Sequence, residues 1–226
     1  MDARLAALAA MVPANTRLAD IGTDHAYLPI ALVQAGKIPF AIASDIAAGP
    51  LANAQADIQA AGLSSQIETR LGNGLATIKA EDHIETVVIA GVGGQLMTEI
   101  LTQSPLRFPN LVLEPNIGEP QVRAWLVDHQ YQIIDEQLLW VKGHSYELIK
   151  AELTDQTHPL TLKEALFGPK ILAKKDDNPA FARKWSGQLT YYQRLLRNLQ
   201  QAAQPDHAKI AKLTEQIELI KGELDD

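Results

Sequence analysis

The chain has 226 residues, a net charge of −7 and no cysteine. Its length suits one α/β domain with an appendage, and the missing cysteine excludes disulfides, cysteine-based zinc sites and thiol nucleophiles. No apolar run is long enough to span a bilayer, so a cytoplasmic protein without membrane association is expected.

Between Met1 and Val12, Leu5, Leu8 and Ala9 fall at helical spacing, and Pro13-Ala14-Asn15 ends that helix. A signal-peptide reading of the same stretch fails on Asp2, which is wrong for a basic leader. Strand-like runs follow at 17–21, 40–45, 67–71, 86–90 and 110–114, most of them separated by helix-length segments at 26–36, 47–61, 94–104 and 118–129. That alternation argues a parallel sheet wrapped by helices. The segments 131–141 and 145–153 are longer strands whose short connection, Lys142-Gly143-His144, makes them an antiparallel hairpin.

The first strand runs directly into Asp20-Ile21-Gly22-Thr23-Asp24-His25-Ala26-Tyr27, a tight turn and a helix start. Gly22 lets the backbone turn where a side chain would block a ligand, and the next helix offers free N–H groups in its first turn. A dinucleotide fingerprint needs three glycines to admit a pyrophosphate, and this turn has one. The acidic turn with Asp20 and Asp24 suits a cationic or zwitterionic ligand better, and S-adenosylmethionine, with its sulfonium and ammonium, is such a ligand. Asp45 ends the second strand, where a carboxylate can hold ribose hydroxyls. Gly72-Asn73-Gly74 follows the third, where Asn73 can read an adenine edge, although a plain turn explains Asn-Gly equally well. Gly91-Val92-Gly93-Gly94 follows the fourth, opening the carboxyl edge of the sheet. Four successive strand ends of this kind make a site that no single turn would establish.

Five parallel strands closed by an antiparallel hairpin form the seven-stranded, Rossmann-like sheet of class I S-adenosylmethionine-dependent methyltransferases. An NAD-dependent oxidoreductase fails on the missing glycines and on that closing hairpin. The six histidines are scattered without ligand spacing, so no metal is expected. Trp125 and Trp140 lie in apolar periodic contexts and read as core.

Beyond Thr154 the composition changes, and Thr157-His158-Pro159 marks a boundary between a catalytic domain, 1–156, and a helical domain, 157–226. Trp185, Leu189, Tyr192, Leu196, Leu199 and Ala203 form one coiled-coil stripe, and Ile210, Leu213, Ile217, Ile220 and Leu224 a second. Pro205 breaks the helix and Asp206 can cap the next, so the stripes fold back on each other as an antiparallel hairpin of a monomer; dimerisation through them is the alternative. The basic residues concentrate here: Lys163, Lys170, Lys174, Lys175, Arg183, Lys184, Arg194 and Arg197 sit in a chain that is otherwise acidic. Such a local basic patch points to an anionic macromolecule.

The runs LADIGTDHAYLP, ASDIAAGPLANA, RLGNGL, IAGVGG, EPN and GHSYELI, followed by FGPKIL and a helical hairpin, resemble the bacterial tRNA adenine-N1 methyltransferases that modify nucleotide 22. The resemblance spans nearly the whole chain. It implies S-adenosylmethionine as donor, tRNA as substrate and a C-terminal coiled-coil domain. The cofactor contacts then fall on Asp20, Gly22, Thr23, Asp24, His25, Asp45, Ile46, Gly72, Asn73, Gly74, Ala90, Gly91, Val92 and Gly93. Asn73 stands where the family pattern has Asp, and Glu114 where it has Gln. Asp24 and Tyr27, with Asn116 as a further candidate, are expected to act on the base. Helix capping by Asp24 and core packing by Tyr27 are the plainer alternatives. A noncatalytic RNA-binding or scaffold protein is the rival function, disfavoured because acids and glycines persist together at four strand ends. Removing everything after Leu153 is expected to leave S-adenosylmethionine binding largely intact and to abolish tRNA methylation.

Overall fold

The computed structural model describes residues 2–202 and 204–225. One seven-stranded sheet runs in the order β3-β2-β1-β4-β5-β7-β6, with β1 Arg17–Ile21, β2 Phe40–Asp45, β3 Ile67–Leu71, β4 Thr86–Val92, β5 Asn110–Pro115, β6 Tyr131–Val141 and β7 His144–Leu153. Strands β1 to β5 are mutually parallel, and β7 is antiparallel to both β5 and β6. The hairpin turn is shorter than the sequence implied. Only Lys142 and Gly143 lie outside the strands, both at positive φ (49° and 90°), the backbone a two-residue turn needs to match strand twist.

Neighbouring strand residues point to opposite faces, and this builds two cores. Ala19, Ile42, Val87, Ile89, Leu111 and Leu113 face α4 (Gly94–Gln103) and α5 (Glu119–Asp128), where they meet Met97, Leu101, Val122 and Leu126. Leu18, Ala41, Ala43, Val88 and Val112 face α1 (Ala3–Met11), α2 (Tyr27–Gln34) and α3 (Ala48–Ala60). The strand order reverses at β1 and β4, so the crevice at their carboxyl ends is where an α/β sheet accepts a ligand.

After β7 come α6 (Leu162–Phe167), α7 (Pro169–Leu172), α8 (Pro179–Gln200) and α9 (His207–Asp225). Helices α8 and α9 pack on each other, with Leu213, Ile217 and Ile220 of the second stripe buried; Ala203 of the first lies outside the described residues. Trp185, the first residue of that stripe, packs with Phe167, Phe181 and Ile220 on Leu138 of β6.

An ion network with a fully buried centre, Arg123, Glu136 and Glu147, joins this layer to the sheet. Arg123 of α5 donates to Glu136 of β6 at 2.7 Å, to Glu147 of β7, and to the carbonyls of Ala165 and Leu166 in α6. Lys184 of α8 completes it, donating to Glu147 at 2.6 Å and Glu119 at 2.7 Å. Cutting the chain after Leu153 therefore strips Glu147 of Lys184 and Arg123 of its carbonyl acceptors. Such a truncation would expose charges that the whole chain keeps paired.

Candidate active site

The turn after β1 is built by backbone bonds and three left-handed residues, two of them not glycine. Gly22, at φ +78°, and Thr23 both donate N–H groups to the Ser44 carbonyl at 2.9 Å. That ties the turn to the end of β2. His25 (φ 57°) and Ala26 (φ 50°) then follow in the left-handed region, conformations that cost about 1–3 kcal/mol each in a non-glycine residue. Helix α2 begins at Tyr27, one residue later than the sequence suggested, and its N-cap Ala26 supplies no side-chain bond.

Two aligned contacts hold the strained turn. The His25 Nδ1 atom lies 2.7 Å from Asp57 Oδ2 of α3. Its ring stacks on Tyr27, with centroids 5.1 Å apart and planes inclined by 5°. Tyr27 is 56% exposed, so it is not a core residue, and Asp24 is exposed without capping α2. Neither plainer alternative describes these side chains.

Asp20 is buried at the end of β1. Burial pushes its carboxyl up to about 6; the Thr23 hydroxyl, donating at 2.7 Å, opposes the shift and nearby Asp45 adds to it. Among the described residues no cation pairs with it. Asp45 Oδ1 accepts from the Ala47 N–H at 2.6 Å, which leaves Oδ2 for a ligand, and Ile46 beside it is exposed. Across the sheet edge, Gly72, Asn73 and Gly74 lead from β3 into a 3-10 turn.

The glycines after β4 divide into two roles. Strand β4 extends to Val92, so Ala90, Gly91 and Val92 belong to a bulge within it rather than to a loop beyond it. Gly91 has φ +80°, and its carbonyl accepts from Asn116 Nδ2 at 2.6 Å. Gly93 caps α4. Gly94 answers to packing, because a Cβ there would lie 2.6 Å from the Gly118 carbonyl oxygen.

An open cavity of about 790 Å³ lies between α1 and α2, lined by Asp20, Gly22, Thr23, Asp24, Tyr27, Ala90 and Gly91, and also by Asp2, Arg4 and Gln34. Sequence reasoning missed the last three. Arg4 Nη1 bonds Glu114 Oε2 at 2.7 Å across 110 residues of sequence, a separation no local pattern reports. Glu114 is fully buried and its Oε1 has no hydrogen-bond partner among the described residues. Burial raises its pKa, against the opposing pull of Arg4.

These features fit S-adenosylmethionine. A buried carboxylate lacking a cation, a second carboxylate with a free oxygen at the next strand end, and an open glycine turn match an ammonium, a ribose and a close-lying sulfonium. The family described as tRNA (adenine(22)-N(1))-methyltransferase matches residues 18–222. The chain belongs to that family. The Bacillus subtilis tRNA (adenine(22)-N(1))-methyltransferase is 34% identical over 233 aligned residues, which cover 100% of this chain and 97% of that protein. The Streptococcus pneumoniae protein Sp1610 in complex with S-adenosyl-L-methionine superposes with a TM-score of 0.88 at 33% identity, covering 99% of each chain. The M. capricolum relative in complex with S-adenosyl-homocysteine gives 0.88 at 31% identity, over 100% of this chain and 98% of that one. Family membership confirms the resemblance read from the motifs. Within the described residues, no group of three or more His, Asp or Glu side chains is placed to hold a metal, and no helix is long and apolar enough to cross a membrane.

The basic residues of the C-terminal segment divide sharply. Lys184 stands apart: its side chain keeps 12% exposure and its ammonium is paired with both Glu119 and Glu147, so its charge is already committed within the fold. Lys163 and Lys175 pair with Glu223, and Lys174 with Asp135. Lys170 is half-buried in α7. Arg183, Arg194 and Arg197 are exposed on α8; Arg183 lies 4.2 Å from the Trp140 ring centroid and Arg194 5.8 Å from that of Tyr191.

Proposed function

We propose that this chain transfers a methyl group from S-adenosylmethionine to N1 of adenine 22 in tRNA. The observation that carries the reading is the match of the family over 18–222, joined to an acidic, glycine-opened crevice at the ends of β1, β2 and β4. Incubation with labelled methyl donor and bacterial tRNA, followed by digestion to nucleosides, should give 1-methyladenosine at position 22. Binding of tRNA without that product would favour the noncatalytic alternative.

When bound, S-adenosylmethionine supplies an electrophilic methyl on a sulfonium. Asp20 balances positive charge beside the Gly22 turn, Asp45 holds ribose hydroxyls, and Asn73 reads the adenine edge. Of the remaining members of the cofactor set, Gly22, Thr23, Asp24, Ala90 and Gly91 line the cavity. Adenine N1 carries an in-plane lone pair and needs no base to remove a proton, so positioning does most of the work. The target must leave the helical stack to present N1. Tyr27 offers it an exposed aromatic face, and the Asp57–His25 pair fixes that face from behind. The amide oxygen of Asn116, whose Nδ2 is already committed to Gly91, accepts from the exocyclic amino group as positive charge grows on the ring. Asp24, at the cavity mouth, contributes negative charge to the same end.

Two outcomes test these roles. Asp45→Ala should weaken S-adenosylmethionine binding by roughly 1.5–3 kcal/mol in calorimetry, the worth of a charge-assisted hydrogen bond, and NAD should fail to compete. Tyr27→Ala and Asp57→Ala should lower the single-turnover methylation rate more than they weaken tRNA binding. Equal losses in both, with a lower melting temperature, would reduce these residues to structural support.

We assign the tRNA-holding role to the helical segment 157–226, read as an antiparallel coiled-coil domain of a monomer, beside a catalytic domain at 1–156. Support comes from the shared face of Arg183, Arg194 and Arg197, which recur at helical spacing on α8, with Lys163, Lys170, Lys174 and Lys175 as flanking charge. Neutralising the three arginines should flatten the salt dependence of tRNA binding by about 0.7–0.9 log units for each phosphate that no longer meets a cation. Lys184→Ala, by contrast, should lower stability and leave that slope unchanged.

A further inference from the structure

Among the described residues, eight large apolar side chains are exposed, and five of them ring the carboxyl edge of the sheet: Tyr27, Ile46, Leu71, Leu96 and Ile117. Ile46 follows Asp45 and Leu71 precedes Gly72, which puts both on the cofactor side. Leu96, 49% exposed in the first turn of α4, and Ile117, 69% exposed between β5 and α5, lie on the other side. Nothing in the cofactor site uses them.

The two segments that carry this pair are locked together. The Gly94 N–H donates to the Ile117 carbonyl at 2.7 Å, and the approach is so close that a Cβ at Gly94 would strike Gly118. Gly94 thus serves to fix Leu96 and Ile117 on one rigid rim. Glu119, two residues past Ile117, accepts from Lys184 of α8, so α8 is anchored next to the segment that carries Ile117. The sheet-bearing part of the chain is acidic and has little to offer phosphates. Apolar contact with base faces needs no charge.

We propose that Leu96 and Ile117 form an apolar wedge that packs against the nucleobases flanking the target adenine and holds open the gap left when that adenine leaves the stack. Inserted aliphatic side chains stabilise unstacked nucleic acid in this way. The wedge rests on tRNA being the substrate.

The test compares two substrates: an unmodified tRNA transcript, and one in which the nucleotide facing adenine 22 is replaced by an abasic site, so that the adenine leaves the stack at less cost. For Leu96→Ser combined with Ile117→Ser, the single-turnover rate at saturating tRNA should fall roughly ten- to a hundredfold on the intact transcript, the loss expected from one or two buried aliphatic side chains. It should fall by less than about threefold on the abasic one, because the step the wedge assists has been relieved there. S-adenosylmethionine affinity and melting temperature should stay at parental values, and Ile117→Met should retain parental rates on both transcripts. Unchanged rates on intact tRNA, or equal losses on both, would overturn the wedge alone. So would a parent dimer that the double substitution dissolves, since the rim would then be covered by a second copy. A parent chain inactive on both transcripts would overturn the tRNA reading and the wedge with it.

Discussion

Replacing Arg123 by leucine should cost the fold about 3–5 kcal/mol in urea denaturation, the penalty for breaking a buried ion network from one side. The guanidinium is fully buried and satisfies Glu136, Glu147 and two carbonyls of α6 at once. Burial works against charge throughout this network. At Glu147, Arg123 and Lys184 together overcome it and hold the carboxyl below its ordinary range. Glu136 faces only one of these cations and is left raised. Without Arg123, Glu136 loses its cation and Glu147 keeps only Lys184. Arg123→Lys should recover part of the loss, because one ammonium cannot bridge two carboxylates with the geometry of a planar fork. A cost below about 1 kcal/mol for the leucine variant would mean that α6 and α8 dock on the sheet through apolar packing alone.

This network also marks the limit of what the sequence discloses. Period-two and helical patterns located all seven strands to within two residues, since each strand buries one or both faces and each helix buries a stripe. The place of β7 between β5 and β6 was hidden, because it depends on pairing between distant segments and not on any local pattern. The site divides the same way. Asp20, Asp45 and the glycine turns announced themselves at strand ends, where side-chain type and position coincide. Arg4 and Asp57 did not, because the first acts across 110 residues and the second only through His25. The ion pairs of Lys184 were hidden for the complementary reason: its carboxylate partners, Glu119 and Glu147, sit in other elements and become neighbours only on folding.

Asp20→Asn should make the chain more stable at pH 8 while weakening S-adenosylmethionine binding ten- to a hundredfold. Desolvation raises the Asp20 carboxyl from 3.8 to about 6, so between those values the folded state holds a proton that the unfolded state has released. The stability this contributes is present below about pH 4 and is lost as pH rises to about 6. Above that range the folded chain carries a buried charge without a cation, a penalty of roughly 3 kcal/mol. Asparagine removes the charge, and its amide oxygen can still accept from the Thr23 hydroxyl. The gain over the parent, about 1–3 kcal/mol at pH 8 after relaxation, should therefore shrink as pH falls toward 4. Ligand binding should show the opposite sign: an ammonium beside Asp20 favours its ionised form, so parental affinity should rise as pH increases through about 6, and the asparagine variant should show no such rise. An asparagine variant equally stabilised at pH 8 and pH 4, or one that binds the cofactor as tightly as the parent, would show that Asp20 is not the charge held in reserve for the cofactor.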